Sequence, residues 1–381
     1  MLKKFVVFVI CLLTIFSLTT NLFAAEDEGV SQKEIESVVK ALKGIKFGLL
    51  WYLSYMDGQG ADVGGKAGDG VDRSKFAIKR GYFRFTKELL PWFDAHMTFD
   101  VTQAKEEKGS LDGSVVVRIK YAYAKFKMPD IAFLTKPFVE FGVVHMPWLD
   151  FEEHLNFYRC QDTMFIERNK TFNSADFGLL FVSLLGGEMG DEYKTKVNQY
   201  YAGRYGSLAL GILNGGGYHA SEKNRNKVLE GRLTLRPLPD LIPGLQFTYF
   251  GITGKGNKDT NPDWNVNLGF VSYEHEYVVL TGQYYKGKGN QSGEDEYDKD
   301  GYSFFTEIKP HKKFSLIGRY DYFDPNDDIS KDENKRYIVG VAYHIDKRHK
   351  NMVVLDYDYV NYKDNSKKDD KRVQLTLQVA L

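Results

Sequence analysis

Charged and aromatic side chains crowd one stretch of this chain, Pro147–Ser174. Its charges are Asp150, Glu152, Glu153, Arg159, Asp162, Glu167, Arg168 and Lys170. Trp148, Phe151, Leu155, Phe157, Phe165 and Ile166 are interleaved with them. Leaving those apolar groups in water would cost about 25 cal/mol per Å². The stretch therefore needs a wall to fold against, and its charges would then border whatever space remains. Charges of both signs around a constriction sort ions and solutes without making or breaking bonds. Glu152, Glu153, Arg159, Asp162, Glu167, Arg168 and Lys170 are the expected constriction set.

A second set lies on segments whose side chains alternate. Arg80, Asp94, Asp100, Arg118, Lys120, Glu140, Arg232, Arg319, Asp321 and Arg336 sit opposite apolar faces and are expected to line a lumen. Arg236, Glu230, Glu307, Asp356 and Asp358 share that placing. The mixture favours cross-strand pairing, each pair worth under about 1 kcal/mol. Neutralising Arg168, on the loop, is expected to alter ion selectivity more than neutralising Arg336, on the wall.

Bond-making chemistry has little support. His275-Glu276 has no His three residues on, and there is no nucleophile elbow or phosphate-binding loop. Asp324, Asn326, Asp328, Ser330 and Asp332 alternate like calcium ligands, but Ile329 and Lys335 stand where such a loop needs Gly and Glu. Cys160 has no evident His or Asn partner. No enzyme activity, metal or cofactor is implied.

The elements that must hold these groups read as strands. Phe47, Leu49, Trp51, Leu53 and Tyr55 share one face, and Phe93 to Val101 alternate against Asp94, His96, Thr98 and Asp100. Trp264, Val266, Leu268 and Phe270 oppose Asn265, Asn267 and Gly269. Val373, Leu375, Leu377, Val379 and Leu381 run to the chain's last residue, opposite Arg372, Gln374, Thr376 and Gln378. Sixteen such runs can be placed between 45–56 and 372–381. Their connections alternate between short turns, such as His275-Glu276, and long polar loops. Strands of about 10 residues, tilted, span about 25 Å. With 25 Tyr and 27 Phe available for interfacial girdles, the fold class is an all-β transmembrane antiparallel barrel of about sixteen strands. It occupies 44–381, with loop 147–174 folded inward. The connection at 187–205 is long for a short-turn side and predicts a helical insertion near 191–200.

Residues 1–25 have a basic start, an apolar centre and small residues at the end, the pattern of a secretory signal peptide cleaved after Ala24 or Ala25. Ser31-Gln32-Lys33-Glu34 opens a capping box, and Ile35, Val38, Val39 and Leu42 form one helical stripe, so 26–43 reads as a short periplasmic helical segment. The 51 basic and 51 acidic residues balance. Losing Lys3 and Lys4 leaves a slightly negative chain with no field to attract nucleic acid.

Several short motifs, in order, resemble the phosphate-selective porin O and P family. They are Gly142-Val143-Val144-His145-Met146-Pro147, Glu152-Glu153, Phe165-Ile166-Glu167-Arg168 and Phe177-Gly178-Leu179. Asn214-Gly215-Gly216, Gly231-Arg232-Leu233, Pro237, Arg319-Tyr320-Asp321-Tyr322 and Asp324-Pro325-Asn326 continue the match across most of 74–381. The resemblance implies a homotrimeric sixteen-stranded outer-membrane barrel, set in lipid, with an inward third loop and diffusion of ions and small hydrophilic solutes. Two features depart from it. The lumen set is mixed rather than basic, and Leu381 stands where an aromatic residue is usual. A passive diffusion pore is the expected function, with an anion-biased uptake channel and a non-pore envelope protein as alternatives.

Overall fold

A computed structural model describes residues 43–104 and 111–381. The expected leader, and all but Lys43 of the expected helical segment, lie outside the described residues.

Sixteen strands close into one barrel. The first quarter comprises β1 (Ile45–Gly58), β2 (Arg73–Leu90), β3 (Phe93–Gln103) and β4 (Val115–Lys127). Then come β5 (Leu134–His145), β6 (Ala175–Leu185), β7 (Gly206–Leu213) and β8 (Val228–Leu235). The third quarter is β9 (Leu245–Lys255), β10 (Asp263–Glu274), β11 (Val278–Lys288) and β12 (Asp298–His311). The last is β13 (Phe314–Asp324), β14 (Asn334–His344), β15 (Met352–Tyr362) and β16 (Asp370–Ala380). All sixteen lie where the alternation places them. β12 overruns its expected end because pairing resumes at His311↔Phe314 after a register shift beyond Ile308.

Closure is made by β1 and β16, antiparallel from Leu50↔Ala380 to Gly58↔Arg372. The Leu381 amide donates to the Leu49 carbonyl at 3.0 Å, so the terminal residue is tied into the seam. Among the described residues no strand edge remains for aberrant pairing.

Outward residues are apolar through mid-wall, with Val339, Val341, Leu355, Val373 and Leu375 exposed. Rings mark both rims. Tyr302, Tyr320, Tyr337 and Tyr359 form a contiguous row towards the long-loop end. Trp92 with Phe126, and Phe314 with Tyr343, lie at the short-turn end. These are the girdles expected where barrel meets lipid headgroups.

β10 reverses the general pattern. Trp264, Val266, Leu268 and Phe270 are buried inside, while Asn267 and Gly269 face outward. The reason lies in the lumen, where an apolar loop covers that part of the wall. A register shift between Thr98 and Phe99, where β3 meets β4, adds a residue to β4. The Lys120 and Tyr121 side chains consequently both reach inward groups, the Tyr82 hydroxyl and the Ser174 carbonyl.

Candidate pore constriction

Loop 147–174 folds inward as two short helices, α1 (Leu149–Glu153) and α2 (Phe165–Arg168). Its apolar residues drive the placement. Trp148, Leu149, Phe151, Met164, Phe165 and Ile166 are buried in one cluster with Phe250 and the inner face of β10. The Trp148 ring meets Phe270 at 5.1 Å and Phe250 at 5.7 Å. Glycines on the wall permit the approach. A Cβ on Gly301 would come within 2.8 Å of Phe165, and one on Gly340 within 2.9 Å of the Gln161 amide.

Polar anchors then fix the loop. Arg232 is fully buried and donates to the Pro147 carbonyl (3.0 Å), Ser207 Oγ (2.9 Å) and Thr234 Oγ1 (2.7 Å). Its guanidinium lies over Phe151 and Tyr201. Lys79 Nζ donates to the Gln161 carbonyl at 2.6 Å, and Tyr158 donates its hydroxyl to Glu307 Oε1 at 2.7 Å. Arg319 donates to the Thr163 carbonyl at 3.0 Å and bonds Asp321. Arg168 pairs with Asp321 and lies 3.6 Å from Asp162. Arg336 pairs with Asp162 and Asp358, and Arg372 with Asp62 and Asp358.

The expected site residues thus separate by environment. Arg232, Arg319, Asp321 and Arg336 are buried beneath the loop and act as its anchors, since the loop lies across the wall that carries them. Arg168 and Arg336, which the sequence separates into loop and wall, both face Asp162. Asp94 pairs with Lys127 (2.9 Å), and Glu140 with His145 (2.9 Å), in a separate cluster. Lys170 is exposed at the end of α2.

Asp162 and Arg168 belong to the anchoring network and Glu152 packs against Trp148 and Gln283, while a further set meets around a cavity of about 230 Å³. Arg80, Arg118, Lys120, Arg159 and Glu167 line it with Asn173, Ser174, Tyr218 and His219. Arg80 and Arg118 reach Asp100 at 3.0 and 2.9 Å. Arg159 holds Glu153 at 2.7 Å and also pairs with Glu167. Asp100 has no exposed side-chain surface, whereas Arg80 and Arg118 keep 27% and 34% of theirs. Water therefore meets the cations while this carboxylate lies behind them. Tyr82, Tyr218 and His219 had no distinguishing sequence signal, because single aromatics are common in this chain.

The 187–205 insertion supplies a second support. Its helix, α3 (Asp191–Lys196), is shorter than expected. Asn198 Nδ2 donates to the His154 carbonyl and to Glu274 Oε1, both at 2.7 Å, and the Tyr201 hydroxyl bonds Asp150. Residues from a short-turn connection thereby brace the inward loop.

Two loop carboxyls are displaced in opposite directions. Burial pushes Glu152 up to about 7, against the pull of Arg319 and hydrogen bonds from Gln283 and Trp148. Burial would also raise Asp162, but Arg336 and Arg168 outweigh it and hold that carboxyl well below the usual range. For Glu152 the docked loop binds the proton more tightly than the free loop does. Its contribution to docking is complete below about pH 4.5 and is lost as pH rises through about 7. Protease susceptibility of the loop should therefore rise across that window, and Glu152→Gln should flatten the rise. An identical pH profile in the variant would exclude Glu152 as the titrating group.

No protein-family model matches this chain, and no curated protein sequence matches it. Solved structures do. Salmonella typhi OmpF, in complex with daunomycin, is 11% identical with a TM-score of 0.59, covering 88% of this chain and 97% of that one. An anion-selective porin from Comamonas acidovorans gives 11% and 0.56, covering 88% and 99%. The outer-membrane channel DcaP of Acinetobacter baumannii gives 12% and 0.51, covering 89% and 98%. At these identities the likeness is one of fold: this chain has the closed sixteen-stranded barrel architecture of the outer-membrane porins.

Proposed function

We propose that this chain is an outer-membrane porin through which ions and small hydrophilic solutes diffuse passively. The observation that carries the reading is a closed barrel whose lumen holds an inward loop and a charged, water-accessible cavity. The chain acts after cleavage of residues 1–25, with 26–43 on the periplasmic side and lipid around the apolar wall. A homotrimer is part of the proposal, supported by the motif resemblance and by a trimer form of OmpT of Vibrio cholerae among the proteins sharing the fold. No catalytic role is proposed. Purified protein added to a planar bilayer should give discrete conductance steps, and insertion without conductance would end the pore reading.

The cavity favours a more specific second reading, an anion-biased uptake channel. Arg80, Arg118, Lys120 and Arg159 outnumber Asp100, Glu153 and Glu167 by one, and the partly exposed Arg80 and Arg118 stand in front of a covered Asp100. The resemblance to the phosphate-selective porin O and P family, and the fold shared with an anion-selective porin, agree with that bias. Lys120→Glu reverses one cavity charge on the wall and leaves the loop's own residues unchanged. It should move the reversal potential in a salt gradient towards cation preference. An unmoved potential would place the selective region elsewhere.

A further inference from the structure

Below the loop, at the short-turn end of the barrel, two histidines and a glutamate converge outside the cavity just described. His344 ends β14, His349 lies in the turn that follows, and Glu307 comes from β12. One ligand atom from each lies within 4.8 Å of the other two. Glu307 is 1% exposed, and its Oε2 is buried without a hydrogen-bond partner. Its Oε1 accepts from Tyr158 (2.7 Å) and Ser315 (2.7 Å), and His349 Nε2 lies 2.8 Å away. Burying a carboxylate oxygen with no partner is costly, so one such atom beside two imidazoles is a feature to be explained.

We propose that Glu307, His344 and His349 form a binding site for a divalent transition metal of the zinc class. Imidazole nitrogen and carboxylate oxygen suit that class, and three protein ligands leave a fourth position for water. Bond lengths near 2.0 Å require ligand atoms about 3.3 Å apart, so the set contracts modestly on binding. The buried Lys309 adds a positive charge close to Glu307 and His344, and two further features oppose loading and must yield. Arg348 lies 3.9 Å from Glu307 and must turn outward; it is only partly buried, and it gives up a bond to Ser315 Oγ (3.2 Å) and one to the His311 carbonyl (3.1 Å). His344 Nδ1 now accepts from the His349 amide at 3.2 Å while Nε2 faces Ser315 Oγ at 2.9 Å. Coordination through Nε2 moves the ring proton to Nδ1 and gives up that amide contact.

Because Tyr158 belongs to the inward loop and bonds the same carboxylate, the metal would tie loop position to metal supply. Only that coupling rests on the porin reading; the donor set does not. Co²⁺ is the probe, titrated into the full-length mature protein in detergent. One equivalent should bind with visible d–d absorption and be displaced by Zn²⁺. His349→Ala and Glu307→Gln should each weaken binding more than about tenfold. Arg348→Ala removes one competing cation from a partly exposed position and should tighten it. Absence of stoichiometric binding by the parent, equal affinity in His349→Ala, or unchanged affinity in Arg348→Ala would each overturn the site. A protein that binds Co²⁺ but carries no current would refute the pore and leave the metal site standing.

Discussion

Excising residues 148–172 and joining the ends through a short Gly–Ser turn should raise single-channel conductance several-fold and weaken ion selectivity. The ends are already adjacent. His145 pairs with Ala175, and the Met146 amide donates to the Ser174 carbonyl at 3.1 Å, so a tight connection completes the β5–β6 hairpin without moving either strand. What leaves is the material that fills the lumen, together with Arg159 and Glu167 from the cavity wall. Arg232, Arg319 and Arg336 would pass from buried anchors to hydrated side chains, which relieves their desolvation. The inner face of β10 would become wet, at about 25 cal/mol per Å² exposed. The variant should thus be less stable yet still closed, because closure depends on strand pairing from β1 to β16 rather than on the loop. The 187–205 insertion remains, so the widened lumen stays partly obstructed. Unchanged conductance in a barrel that still shows heat-modifiable migration would mean that the passage does not run beside this loop.

The strands were legible because alternation has a period of two, and a barrel wall applies that rule repeatedly with lipid on one side. Val373, Leu375, Leu377 and Val379 declare their face without any tertiary information. The inward loop was legible for a related reason, since Trp148, Phe151 and Phe165 needed somewhere to be buried. What could not be read was which wall residues the loop would cover. Arg232 and Arg118 both look like lumen residues from their strands. Only the path of the loop makes the first a buried anchor and leaves the second facing water. The same path explains β10, whose alternation was visible but whose apolar face points inward because the loop supplies an apolar partner there. Tyr201 and Asn198 were illegible as loop contacts because they approach from a connection more than twenty residues away in sequence.

Asp162→Ala should release the loop. Its carboxylate lies between Arg168 and Arg336, and Arg336 shares Asp358 with Arg372. Asp62, Asp162, Asp321 and Asp358 face Lys79, Arg168, Arg319, Arg336 and Arg372 in this network. Removing Asp162 takes one negative charge from this group and leaves Arg168 and Arg336 each short of a partner. Breaking a buried pair from one side typically costs about 3–5 kcal/mol, because the stranded charge can no longer be solvated. At about 1.4 kcal/mol per factor of ten, the undocked population rises by roughly a hundredfold to a few thousandfold. Rapid current flicker and cleavage within 148–172 should report it. Adding Arg336→Ala removes the stranded cation, so the double variant should flicker less than Asp162→Ala alone, a non-additivity expected of groups in direct contact. The result separates two roles for the same charges. If Asp162 and Arg336 act independently, their effects will add and each merely colours the local potential. If they couple, this ion network is the fastening that keeps the loop across the lumen, and the selectivity of the cavity depends on residues that never touch the permeating ion.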